Sequence, residues 1–173
     1  MEIVIYPDER LRQISEPVLQ IGEEERTILD AMEITMLETG GIGLSAIQIG
    51  INKQLIVIKD DKNNILKIAN PRIIKEYDYY ILPEGCLSLP GKTISVSRPN
   101  EILVEGIAYT NIPFKAVFYG IEARILCHEI DHLKGILIID KKLNKVGRNE
   151  LCPECLKLNI RIKHKKCKKH FNG

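Results

Sequence analysis

His128-Glu129-Ile130-Asp131-His132 sets two imidazoles four residues apart with a glutamate directly after the first. On a helix, residues at i and i+4 share a face, so both rings can grip one metal ion while the glutamate handles protons. The flanks support a helix. Tyr119-Gly120-Ile121-Glu122 offers a break followed by an acid in the first turn, and Gly135 stands where a left-handed cap would end it. Ile121, Ile125, His128 and His132 recur at helical spacing, which turns both imidazoles toward the interior. A bare imidazole is costly there unless it is paired or bound to metal.

Hydrolytic metal sites of this kind use three protein ligands and leave one position for water, so a third ligand must come from elsewhere. The chain has no histidine before His128, and its five cysteines stand at 86, 127, 152, 155 and 167. Cys127 directly precedes His128 and so points about 100° away around the helix. Cys86 lies in Glu84-Gly85-Cys86-Leu87-Ser88, where Pro83 and Gly85 mark irregular backbone able to present a thiolate. A buried small hydrophobe is the alternative reading of the same cysteine.

Gly41-Ile42-Gly43-Leu44-Ser45-Ala46-Ile47-Gln48 is a glycine-rich turn running into small residues and one amide. No Lys-Ser/Thr pair follows, and the spacing does not fit a dinucleotide fingerprint. A backbone with so few side chains lets an extended peptide lie along it as an added strand, with Gln48 aimed at a polarised carbonyl.

Gly-x-Gly-x-(small)-Ala-x-Gln, Glu-Gly-Cys-Leu-Ser and His-Glu-x-x-His, in this order and at these separations, resemble the three motifs of the peptide deformylases. The resemblance covers residues 1–143, starts at Tyr6-Pro7-Asp8 and Leu11-Arg12, and is to the shorter bacterial type. It implies that Cys86, His128 and His132 hold a metal whose fourth position is water. The resemblance implies Fe2+ as that metal, with Zn2+, Ni2+ or Co2+ able to substitute. It further implies that Glu129 takes a proton from the attacking water and passes it to the departing amine, while Gln48 and the backbone N–H of Leu87 hold the oxyanion. The substrate the resemblance implies is the N-formyl-Met end of a nascent peptide, with formate as the released product.

Substrate contacts are expected from Ile42, Gly43, Leu82, Glu84, Gly85, Ile121 and Ile125, with an apolar pocket for the first side chain near Leu82, Ile121, Ile125 and His128. Asp131 and Arg98 match the family's supporting ion pair behind the ligands. The sequence departs from the family at two places. Cys127 stands where glutamine usually precedes the first histidine, which raises a question of oxidation beside a redox-active metal. Ser45 stands where alanine is usual.

A helix is expected over 23–39, with acids in its first turn and Gly40-Gly41 to stop it. Strands are expected over 54–59, 65–69, 72–77, 93–96, 101–107 and 114–118, punctuated at Asn70-Pro71 and Arg98-Pro99-Asn100. The class is therefore α+β, with antiparallel sheets packed around the metal-binding helix. At 173 residues and 45% apolar, the chain can bury a proper core, and no apolar run is long enough to span a membrane. Met1-Glu2-Ile3-Val4-Ile5 lacks the basic start of an export signal, so the cytoplasm is the expected compartment.

Charge divides the chain. Residues 141–173 carry 11 Lys+Arg against 2 Asp+Glu, whereas residues 1–140 carry 14 against 21. Within 147–173, Cys152-Pro153-Glu154-Cys155 and Cys167-Lys168-Lys169-His170 have metal-knuckle spacing. With Gly147-Arg148-Asn149 ahead of them, they resemble the zinc-binding knuckle at the C-terminus of the SecA translocation motor, although the Gly-Ser-Gly between its halves is missing. A structural Zn2+ on Cys152, Cys155, Cys167 and His170 is expected, on a basic tail that seeks ribosomal RNA or an exit-tunnel protein. A solvated lysine tail is the plain alternative. For the whole chain, two other functions stay open: a metallopeptidase, which would take its third ligand downstream of the motif, and a non-catalytic ribosome-binding protein on the same scaffold.

Overall fold

The computed structural model describes residues 1–141; the expected knuckle at Cys152, Cys155, Cys167 and His170 lies outside the described residues. Helix α1 (Glu23–Glu38) leads into strand β1 (Gly43–Ser45) and a 3-10 turn, Ala46–Ile49. Strands β2 (Leu55–Lys59), β3 (Ile65–Glu84), β4 (Ile94–Ala108) and β5 (Pro113–Tyr119) follow, then helix α2 (Gly120–His132) and a final 3-10 turn, Ile138–Lys141. The five strands form one antiparallel sheet in sequence order, β1 to β5. Among the described residues there is thus a single sheet where several were expected.

β2 explains how this sheet carries a helix on each face. Its Leu55-Ile56-Val57-Ile58 run is buried throughout, so both faces must be covered. Leu55 and Val57 pack with Leu29, Met32 and Met36 of α1. Ile56 and Ile58, pointing the other way by the strand's period of two, pack with Ala123, Leu126 and Cys127 of α2. A smaller cluster of Val4, Leu11, Leu89, Val96, Leu137 and Ile138 ties the N-terminal segment and the last turn to the sheet.

The helix ends follow the sequence signals. The Gly22 N–H donates to Glu25 Oε2 at 3.1 Å at the start of α1, and Gly40, at φ +69°, turns the chain away after it. Beyond α2, Gly135 has φ +69°, and a Cβ there would meet the Arg12 carbonyl oxygen at 2.3 Å. The strand breaks behave differently. Asn70-Pro71 does not end a strand: β3 runs on through a register shift between Ala69 and Arg72, where the ladder does not need the missing proline N–H. β4 likewise runs through Pro99, which pairs with Tyr79. β1 and the 78–84 part of β3 are strands that the sequence pattern left out. No helix among the described residues is long and apolar enough to cross a membrane.

Candidate active site

The end of β3 and the inner face of α2 bring Cys86, His128 and His132 together. Cys86 Sγ lies 3.2 Å from His132 Nε2, and the two Nε2 atoms lie 3.2 Å apart. One thiolate and two imidazole nitrogens aimed at a common point form a donor set suited to a transition metal. The structure also fixes which nitrogen faces that point in His128. Its Nδ1 donates to Glu84 Oε2 at 3.1 Å, which leaves the Nε2 lone pair free to bind a metal. His132 Nδ1 has no hydrogen-bond partner among the described residues.

The structure adds a buried network to the sequence reading of Glu84, which also borders the cavity beside these donors. Expected among the substrate contacts, its carboxylate is turned into the protein, where it accepts from Arg98 Nε at 3.0 Å, Arg98 Nη2 at 2.9 Å, Arg124 Nη1 at 2.6 Å and His128. Burial alone would raise its pKa, but the bonds from His128 and Arg98 overcome that and hold it near 2. Arg98 reaches on to Asp131, which also pairs with Lys141 at 2.8 Å. The expected Arg98–Asp131 pair is present and buried. Arg124 was missed. Four residues before His128 on the same helix, it also donates to the carbonyls of Val96 and Tyr80 at 3.1 and 3.0 Å and stacks over the Tyr80 ring. The available signal was a cation at i−4 on a helix face that is otherwise apolar.

Glu129 is 3% exposed, and its Oε2 has no partner among the described residues. Burial pushes its carboxyl up to about 7, against the opposing pull of His128 and of the nearby Ser45 hydroxyl. The two glycines before it are dictated by close approach. A Cβ on Gly43 would come within 2.4 Å of Glu129 Oε1, and one on Gly41 within 2.9 Å of the Leu87 side chain. Gln48 points its Nε2 toward Cys86 Sγ at 3.6 Å and donates to Ser88 Oγ at 3.2 Å. The Leu87 N–H makes no hydrogen bond among the described residues.

Cys86, His128, Glu129, Gln48 and Glu84 border one cavity of about 590 Å³, with Ile42, Gly43, Gly85, Leu87, Ile121 and Ile125 also in its wall; His132 lies behind it. Leu82 is not part of that wall; it stands 41% exposed on β3. Ile121 lies at the rim, 47% exposed, whereas Ile125 is buried. Cys127 faces away, packed with Ile56 and Ile58, and burial pushes its thiol up to about 12. It is therefore a neutral core residue, on the packing side of α2 and apart from the Cys86, His128 and His132 cluster.

The sequence model of the polypeptide deformylase family matches residues 1–149. Peptide deformylase from Caldanaerobacter subterraneus is 40% identical over 144 residues, covering 83% of this chain and 90% of the relative. The enzyme from Thermodesulfovibrio yellowstonii is 38% identical over 145 residues, covering 82% and 88%. Among solved structures, peptide deformylase from Synechococcus elongatus in complex with actinonin superposes with TM-score 0.80 at 38% identity, covering 84% of this chain and 80% of that one. The Thermotoga maritima peptide deformylase gives 0.79 at 31% identity, covering 83% and 97%. With its Cys/His/His cluster and buried glutamate in place, the chain belongs to the polypeptide deformylase family of metallohydrolases, which remove the formyl group from nascent peptides.

Proposed function

We propose that Cys86, His128 and His132 hold the catalytic metal, Fe2+ by preference, and that the cavity beside them takes the formyl-Met end of a nascent peptide. The observation that carries this reading is the meeting of Cys86, His128, Glu129 and Gln48 at one cavity wall, with His132 completing the donor cluster behind it. When bound, such an ion supplies a Lewis acid and lowers the pKa of a water molecule. Glu129 accepts a proton from that water as its oxygen attacks the formyl carbon. The C–N bond then breaks, formate leaves, and Glu129 returns the proton to the amine nitrogen, which balances the hydrolysis. Its raised pKa suits a group that must take and then give a proton; a cation nearby draws that pKa down again.

Gln48 Nε2 and the Leu87 N–H are placed to donate to the carbonyl oxygen as it gains charge, each worth about 3 kcal/mol in sites of this kind. Among the described residues β1 is an edge strand, paired only with β2, so the substrate backbone can add to it as a further strand beside Ile42 and Gly43. Ile121 and Ile125 offer the first side chain an apolar surface. Glu84, Arg98, Arg124 and Asp131 act behind the ligands, holding His128 in the orientation it needs.

The catalytic unit spans 1–143. The basic tail at 147–173, with Cys152, Cys155, Cys167 and His170 around a structural Zn2+, serves as a ribosome-docking segment of a cytoplasmic enzyme. Spacing and net charge support this part. A second metal per full-length chain checks it.

The catalytic reading is tested with anaerobically purified, Fe2+-loaded protein on formyl-Met and acetyl-Met tripeptides. Formate should appear one for one with new amine termini from the formyl peptide, and the acetyl peptide should be a poor substrate. Cleavage of internal peptide bonds, or loss of the metal on none of the three ligand substitutions, would overturn it.

A further inference from the structure

Gln48 can serve an oxyanion only if its amide presents nitrogen, and not oxygen, to the reacting carbonyl. The two ends of a glutamine amide have nearly the same shape, so the choice is made by hydrogen bonds. At the Oε1 end both donors come from one residue: the Ser45 N–H at 2.9 Å and the Ser45 Oγ at 2.9 Å. At the Nε2 end stand Cys86 Sγ at 3.6 Å, which favours nitrogen there, and the Ser88 hydroxyl at 3.2 Å, which can donate or accept and so does not discriminate between the two orientations. Ser45 is 0% exposed and Gln48 1%, so the donors at the Oε1 end are shielded from bulk solvent.

We propose that Ser45 is a positioning residue for deformylation, whose hydroxyl supplies the second bond that locks the Gln48 amide with its nitrogen toward the cavity. The backbone N–H selects the oxygen, and the hydroxyl stops the amide from rocking about that single bond. Ser45 is well placed because β1 ends on it and the 3-10 turn carrying Gln48 starts immediately after it. Three residues of tight turn bring the side chain at 48 back over the backbone at 45, as in a helix N-cap. Gly43, two residues earlier on the same strand, packs against Glu129. The Ser45 hydroxyl also lies close to the Glu129 carboxylate, so it sits between the proposed base and the proposed oxyanion donor. This inference rests on the reading of Gln48 as that donor.

The experiment is a double-mutant cycle on the metal-loaded full chain with a formyl-Met tripeptide. Gln48→Ala alone tests the donor role, and an unchanged kcat there overturns that role and the Ser45 inference with it. If Gln48→Ala lowers kcat by about a hundredfold or more, Ser45→Ala should lower kcat about fivefold, the factor for one ordinary hydrogen bond, with KM within about twofold. Placed in the Gln48→Ala background, the same serine substitution should change kcat no further. An equal loss in both backgrounds, or none in either, refutes positioning through Gln48. A second readout is independent of turnover. In Zn2+-loaded, 15N-labelled protein, the Gln48 side-chain amide protons should exchange with solvent about tenfold faster in Ser45→Ala than in the parent, and equal exchange would overturn the lock.

Discussion

α1 and α2 cover opposite faces of β2, yet they are built by different rules. α1 buries four of its 16 residues, Leu29, Met32, Thr35 and Met36, as one stripe at helical spacing. Its acids stay outside, where Glu24, Glu25, Asp30 and Glu33 pair with Lys53 and Lys67. α2 buries nine of 13 residues, and Arg124, Glu129, Asp131 and His132 are among them. Burying charge is tolerable only where partners are in place, and they arrive from β3 and β4 as Glu84 and Arg98. Apolar contact accounts for the seating of α1, whereas α2 also depends on a closed set of ion pairs.

The largest effect that separates the two helices should come from Glu129→Gln. It removes the proposed base without unpairing any of the buried cations, so kcat should fall by at least about a hundredfold while the metal and the thermal midpoint remain. A general base acts in its ionised form, so parental activity should rise with pH through the Glu129 pKa. That limb should lie at or below about 7, because a bound cation opposes the effect of burial. Stability that collapses together with activity would mean that Glu129 belongs to the structural network.

Glu84→Ala should do the reverse and strike stability first. It leaves Arg98 and Arg124 buried without their shared carboxylate, a loss of about 3–5 kcal/mol, and it releases His128, weakening metal binding about 10- to 100-fold. The pH dependence has a definite direction. The folded-state pKa of Glu84 is lowered from 4.5 to about 2, so its contribution is fully present above 4.5 and is lost as pH falls from there through 2. Urea midpoints across that window should drop steeply in the parent and more gently in Glu84→Ala. Parallel curves would show that the carboxylate is not what holds the network.

Met32→Ala on α1 should cost about 2–5 kcal/mol as a core cavity and leave the kcat of the folded fraction alone. A denaturant series with activity read on the same samples would distinguish this from any coupling to the site.

Much of this contrast could be read in the sequence, and its limits have physical causes. α1 was legible to within a residue because its signals are local: acids in the first turn, a stripe at helical spacing, and Gly40 as a stop. The Cys86, His128 and His132 cluster was legible in two steps: a helix places 128 and 132 together, whereas Cys86 was assigned by the resemblance of Glu84-Gly85-Cys86-Leu87-Ser88 to the family motif. The network around Glu84 was not legible because its partners at 98, 124 and 128 come from other elements, and no periodicity announces a network assembled across the sheet. The continuity of β3 and β4 was hidden for a related reason: a register shift lets Pro71 sit inside β3, and Pro99 sits in β4 just outside its pairing with β5, which starts at Glu101, so both are set by neighbouring strands rather than by the proline's own surroundings.

The smallest effect concerns Cys127, which shares a helix with the ligands and sits in the kind of surroundings found under α1. Its side chain is 4% exposed, and burial keeps the thiol protonated to about 12. A protonated, buried thiol is a poor target for peroxide, since the thiolate is the reactive form and access is required. Cys127→Ala should therefore cost only about 1 kcal/mol, the loss of one small buried group, with unchanged kcat and an unchanged rate of inactivation by peroxide. Cys86, which borders the cavity, is the cysteine where oxidation should be found by mass spectrometry. If Cys127→Ala slows inactivation, then the thiol does reach the metal side of α2, and the division of that helix into a chemical face and a packing face fails at this residue.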